Sequence, residues 1–123
     1  MLRNSTAAIV SIAAGSLVAT AALAHPKLVK SEPAADAVIS AAPKELRLKF
    51  NEELVPKFSS ADVKNQKGQK VEIGAAAADP KDKKQLVVPL TKPLTAGIYK
   101  VEWHAVAADT HRVQGSYSFT VKQ

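Results

Sequence analysis

From Lys44 to Phe50 the chain alternates without a break. Leu46, Leu48 and Phe50 fall on one side, and Glu45, Arg47 and Lys49 on the other. A period of two marks a strand with one face buried and one face in water. The pattern recurs in Ile98–Ala105, where Tyr99, Val101 and Trp103 share a face, and in Gly115–Lys122, where Tyr117, Phe119 and Val121 do. Pro26–Glu32 reads as a first strand that stops at Pro33. Phe58, Ala61 and Val63 suggest another, closed by the turn Asn65-Gln66-Lys67-Gly68, whose glycine supplies a positive φ. Gln69–Ile73 returns from that turn. In Gln85–Leu90 the adjacent Val87 and Val88 predict an interior strand with both faces covered. Ala75–Lys84 is expected to be a loop, with at most a helical turn in its alanines, and Ala107–His111 a short polar connection. No helical period is sustained beyond the N-terminal segment. The prediction is one all-β domain, a small antiparallel β-sandwich of about seven strands with Greek-key connections and Trp103 in its core.

The N-terminal segment follows a different logic. Ala7–Ala24 is apolar, rich in small residues, preceded by Arg3 and closed by Ala22-Leu23-Ala24. That is the pattern of a secretory signal, so residues 1–24 are expected to be removed and residues 25–123 to form the exported domain, beginning at His25. A retained membrane anchor is the alternative. Interruptions at Ser11, Gly15, Ser16 and Thr20 and the scarcity of leucine argue for cleavage. No later segment is apolar enough to cross a bilayer, so no membrane insertion is expected after cleavage, and the expected location is the periplasm.

Export changes the meaning of the charge. With 17 Lys and Arg against 11 Asp and Glu, the chain carries a net +6. In a cytosolic protein this would suggest nucleic acid; an exported one does not meet it. The lysines are scattered singly, which reads as a solvated surface, with anionic envelope material as the functional alternative. There is no cysteine, which excludes disulfides, thiolate zinc sites, a lipoprotein anchor and a blue-copper thiolate. The single methionine is Met1, so the exported domain offers soft Cu(I) no preferred ligand.

Two places carry candidate chemistry. An N-terminal histidine holds two nitrogen donors on one residue, the α-amine and ring Nδ1, which together can chelate a metal ion. Pro26 has no backbone N–H, so the second-residue amide that copper often recruits is missing there, and the remaining ligands must be side chains from elsewhere. Asp109 and His111 stand two apart; an extended backbone would send both to one face, while a turn aspartate beside a surface histidine is the plain alternative. Together an α-amine, two imidazoles and a carboxylate form an N₃O set that suits tetragonal Cu(II), which heads the divalent affinity order.

These residues also carry a resemblance. His25-Pro26-Lys27-Leu28-Val29, Ser31-x-Pro33-Ala34, Leu48-x-Phe50-x-Glu52-x-Leu54, Pro93-Leu94-x-Ala96-Gly97-x-Tyr99-x-Val101-x-Trp103 and Asp109-Thr110-His111 resemble, in one order, the CopC family of periplasmic copper-resistance proteins. The resemblance implies a sandwich of cupredoxin-like or Ig-like topology that binds one Cu(II) per chain. By position its ligands would be His25, Asp109 and His111, with Glu52 as a further donor; Glu52 is chosen over the neighbouring Glu53 on the family pattern alone. It further implies a non-enzymatic carrier or buffer in copper homeostasis, with an inner-membrane copper transport partner of the CopD type. An enzyme with a His brace of the kind that activates oxygen, and a metal-free Ig-like envelope module, are the alternatives. Two departures stand out. Some members carry a Met-rich Cu(I) loop, but Asn65–Lys84 has neither Met nor His, so no Cu(I) site is expected. Where relatives are expected to have Arg, this chain has His104, on the face opposite Trp103, for which a surface or supporting role is expected.

Overall fold

The computed structural model describes Gly15 and residues 26–122; the remainder of the segment read as a signal, and His25 itself, lie outside the described residues. Eight strands follow in order: β1 (Leu28–Glu32), β2 (Val38–Ile39), β3 (Glu45–Phe50), β4 (Ser60–Lys64), β5 (Ala77–Asp79), β6 (Asp82–Pro89), β7 (Gly97–Val106) and β8 (Arg112–Val121). They form two four-stranded sheets, ordered β1-β3-β6-β5 and β2-β8-β7-β4. The chain changes sheet at every connection except the β5–β6 and β7–β8 hairpins.

The strict alternation of β3 becomes a strict alternation of burial. Leu46, Leu48 and Phe50 have no exposure and share the core with Leu86, Val88 and Val101, which are equally sealed. Burying each such side chain contributes about 1.5–3 kcal/mol, and this inner face holds the sandwich together. Aromatic pairs add direction. Phe50 meets Trp103 edge-on at 5.1 Å, and Tyr99 stacks on Phe119 at 5.7 Å, both within the range such rings favour. Trp103 belongs to this core, as expected.

Several local expectations are corrected. The strands number eight, and β2, only two residues long, pairs with β8 in parallel rather than antiparallel fashion. β5 occupies the alanine stretch expected to be a loop, and β6 begins three residues early. Val87 is only half-buried while its neighbours Leu86 and Val88 are sealed, so β6 has one covered face rather than two. Gln69–Ile73 is not a strand. Val71 N–H donates to the Val63 carbonyl at 2.8 Å, then Ile73 bridges to Leu90, just past β6 of the other sheet, so the segment crosses the edge of the sandwich instead of running along it. Phe58 points out, from a 3₁₀ turn at Pro56–Phe58.

Candidate metal centre

The β7–β8 hairpin closes through Ala107–His111. Ala107 N–H donates to the His111 carbonyl at 2.9 Å, and Thr110 N–H donates to the Ala107 carbonyl at 2.8 Å. Thr110 takes the left-handed conformation, φ 74°, as the last residue of a three-residue hairpin loop commonly does. The backbone here is therefore a tight turn and not the extended run that would place positions 109 and 111 on one face.

Asp109 and His111 converge nevertheless, for a different reason. Asp109 Oδ1 accepts the His111 backbone N–H at 3.1 Å, and Oδ2 lies 2.8 Å from His111 Nδ1. An aspartate reaching two residues ahead to its own backbone is a common turn device, and here it also fixes the ring. His111, through its ring and then its backbone N–H, holds the Asp109 carboxyl below the usual carboxylate range. Asp109 and His111 thus bring a carboxylate and an imidazole, an oxygen and a nitrogen donor, together on one turn. Carboxylate–imidazole contact also orients a metal-binding ring.

The segment Asn51–Val55 ties this turn to the beginning of the domain. Asn51 N–H donates to the Lys27 carbonyl at 3.1 Å, and Lys27 N–H donates to Asn51 Oδ1 at 2.7 Å. On the other side, Ala108 N–H donates to the Glu53 carbonyl at 3.0 Å, Leu54 bridges to Ala107, and Val55 N–H donates to the Val106 carbonyl at 2.8 Å. The buried Ser59 hydroxyl locks the arrangement: it donates to the Val55 carbonyl at 2.9 Å and accepts from Val106 N–H at 3.1 Å. Glu52, half-buried, sits on this segment between the two anchor points, with Glu53 exposed beside it. The chain two residues after His25 is thus held to the same short segment that holds the Asp109 turn.

Among the described residues, no three His, Cys, Asp or Glu side chains form a metal-holding group. Asp109 and His111 are brought into contact, Glu52 is placed on the adjoining segment, and His25 lies outside the described residues. His104 is exposed on the outer face of β7, opposite Gln114 and Ser60. Asn51 and Ser59 escaped the sequence reading, because a lone polar residue beside a strand gives no sign that it will bind backbone.

Comparison with known proteins gives the relatives of this chain. Residues 28–122 match the CopC domain. The chain is 42% identical over 127 aligned residues to Copper resistance protein C of Pseudomonas syringae pv. tomato, covering 99% of this chain and 100% of that protein. It is 32% identical over 98 residues to Copper transport protein CutJ of Bacillus subtilis (strain 168), covering 80% of this chain and 18% of that much longer protein. Its fold superposes with a TM-score of 0.71 on the crystal structure of PcoC, described as a methionine-rich copper resistance protein from Escherichia coli, at 40% identity over 80% of this chain and 100% of that one. With one family domain spanning the described sandwich and a relative aligned from end to end, the chain belongs to the CopC family.

Proposed function

We propose that this protein is an exported, periplasmic Cu(II) carrier or buffer in copper homeostasis and resistance, that it binds one ion per chain, and that it is not an enzyme. The ligands are the α-amine and ring of His25, freed by removal of residues 1–24, together with Asp109 and His111; Glu52 is a further donor, chosen over the adjacent Glu53 on the family pattern alone. One observation carries the reading. The Asp109–His111 contact sits on a turn that is hydrogen-bonded, through Asn51–Glu53, to the strand that starts just after His25. Relatives named for copper resistance support the metal. A relative named for copper transport, in which the similar region is a small part, supports a link to copper transport, for which the partner proposed is a membrane protein of the CopD type. The donors are nitrogen and oxygen with no thiolate or thioether outside Met1, which favours Cu(II) over Cu(I).

The test is a Cu(II) titration of the exported protein, followed by quenching of its single tryptophan, Trp103. His111→Ala and Asp109→Ala should each weaken binding by roughly tenfold to hundredfold or more, since even the loss of an outer partner of a ligand costs that much. His104→Ala should leave the affinity near that of the parent. Equal losses in all three, or a loss confined to His104→Ala, would remove the assignment. Ascorbate-dependent oxygen consumption by the copper-loaded protein would favour the oxidase alternative instead.

A further inference from the structure

The lysines of this chain are not equally partnered. Along the strands they pair with acids, as Lys49 does with Asp82 at 3.5 Å and Lys64 with Glu102 at 3.2 Å. Among the described residues, nine cations have no acidic partner within 4.0 Å: Lys27, Lys57, Lys81, Lys83, Lys84 and Arg112, and, away from them, Lys44, Lys67 and Lys122. The first six lie on segments gathered at one end of the sandwich, where they outnumber the three carboxylates without a Lys or Arg partner there, Glu52, Glu53 and Asp109. Lys27 is bonded to Asn51, and the Lys83 carbonyl accepts from Leu54 N–H at 3.1 Å. Lys81, Lys83 and Lys84 lie in the β5–β6 hairpin with Asp82 among them, Lys57 lies on the 3₁₀ turn packed against β5 and β7, and Arg112 begins β8. Phe58 stands among them, 59% exposed, with the Lys57 ammonium 5.8 Å from its ring centre. Val29, 57% exposed, starts from the same end on β1.

We propose that this end of the domain docks on an anionic lipid bilayer, with Phe58 entering the headgroup layer and the unpaired cations lying on the lipid phosphates. Anionic headgroups attract basic residues at close range, and an aromatic ring flanked by lysines suits the interface. A protein partner fits less well. A stable interface buries about 800 Å² on each side around an apolar centre, and two separate apolar side chains do not form one. Docking in this way would turn the Asp109–His111 turn toward the membrane. The proposal does not depend on copper and is tested without it.

The experiment is co-sedimentation of the metal-free protein with vesicles of phosphatidylcholine, alone or with phosphatidylglycerol. Each protein is taken as its host exports it, with the N-terminus read by mass spectrometry, so that residues 1–24 cannot mimic a difference between variants. Wild type should bind the phosphatidylglycerol vesicles and release in high salt. The double variant Lys81→Glu/Lys84→Glu should lose roughly twenty-five-fold or more, at roughly fivefold for each lysine near the surface. Lys44→Glu/Lys67→Glu makes the same change in net charge away from this end and should bind nearly as wild type does. Phe58→Ser should weaken binding while its salt dependence stays. Thermal melting confirms that each variant is folded. Equal losses in the two double variants would reduce the effect to net charge and overturn the proposal. Absence of binding to phosphatidylglycerol vesicles would also overturn it, leaving this end to an acidic protein partner.

Discussion

The indole of Trp103 lies over the bare Cα of Gly115, its cross-strand partner on β8. A Cβ built on Gly115 would collide with the ring, standing 2.8 Å from Cε2 and in harder contact still with Cζ2. Phe50 also packs against the indole, so the ring has little room to yield. Gly115→Ala should therefore destabilise the domain by about 1–3 kcal/mol, the usual cost of overpacking a filled core, and shift the emission of Trp103. Urea unfolding followed by that emission measures both. Unchanged stability and emission would mean that the indole moves aside freely.

Tyr117 carries a hydroxyl that is buried without a hydrogen-bond partner among the described residues. Burial pushes its ionisation up to about 12, with the Ser31 side chain acting in the opposite direction. In the unfolded chain a tyrosine titrates near ~10. The folded state keeps its proton where the unfolded state has lost it, so this contribution to stability is complete below about pH 10 and disappears as the pH rises toward 12. Tyr117→Phe should flatten that part of the alkaline loss. Unfolding free energies of both proteins across this range decide it; identical alkaline losses would contradict the assignment.

Asn51 holds the strand that leads away from His25 while its neighbours hold the Asp109 turn. Asn51→Ala removes the 2.7 Å bond to Lys27 N–H and should cost about 0.5–1.5 kcal/mol of stability. Its effect on Cu(II) affinity should exceed that of Lys27→Ala, which keeps the backbone bond. A titration of the two variants side by side checks this, and equal affinities would show that the Asn51 tether does not matter to the metal.

What was legible in the sequence follows the physics of each element. β3, β7 and the inner half of β8 announce themselves because each buries one face, and a buried face leaves a period of two in the residues. β2 has two residues and cannot show a period. β5 is built from alanine, which packs in a strand here only because β6 offers it a ladder. The crossing of Gln69–Ile73 from one sheet to the other depends on partners far along the chain, which the local pattern does not contain. At the site, Asp109 and His111 were visible as a pair, but the means by which they meet, a turn closed by Thr110 at positive φ, was not. The Asn51–Val55 segment that relates Glu52 to the turn was equally hidden, since its bonds are made largely by backbone groups that every residue has.

In the proposed site the free His25 amine is the donor that no other residue can replace. Two forms of the exported domain, one beginning at His25 and one carrying a single glycine ahead of it, should share the same fold and thermal unfolding in the absence of metal. Measured by Cu(II) titration against a competing chelator, the form beginning at His25 should bind one ion tightly, and the glycine-extended form should bind roughly a hundredfold more weakly or worse, the upper part of the range for perturbing a metal shell. If the extended form binds Cu(II) as tightly as the one that begins at His25, the N-terminal chelate is not the copper site.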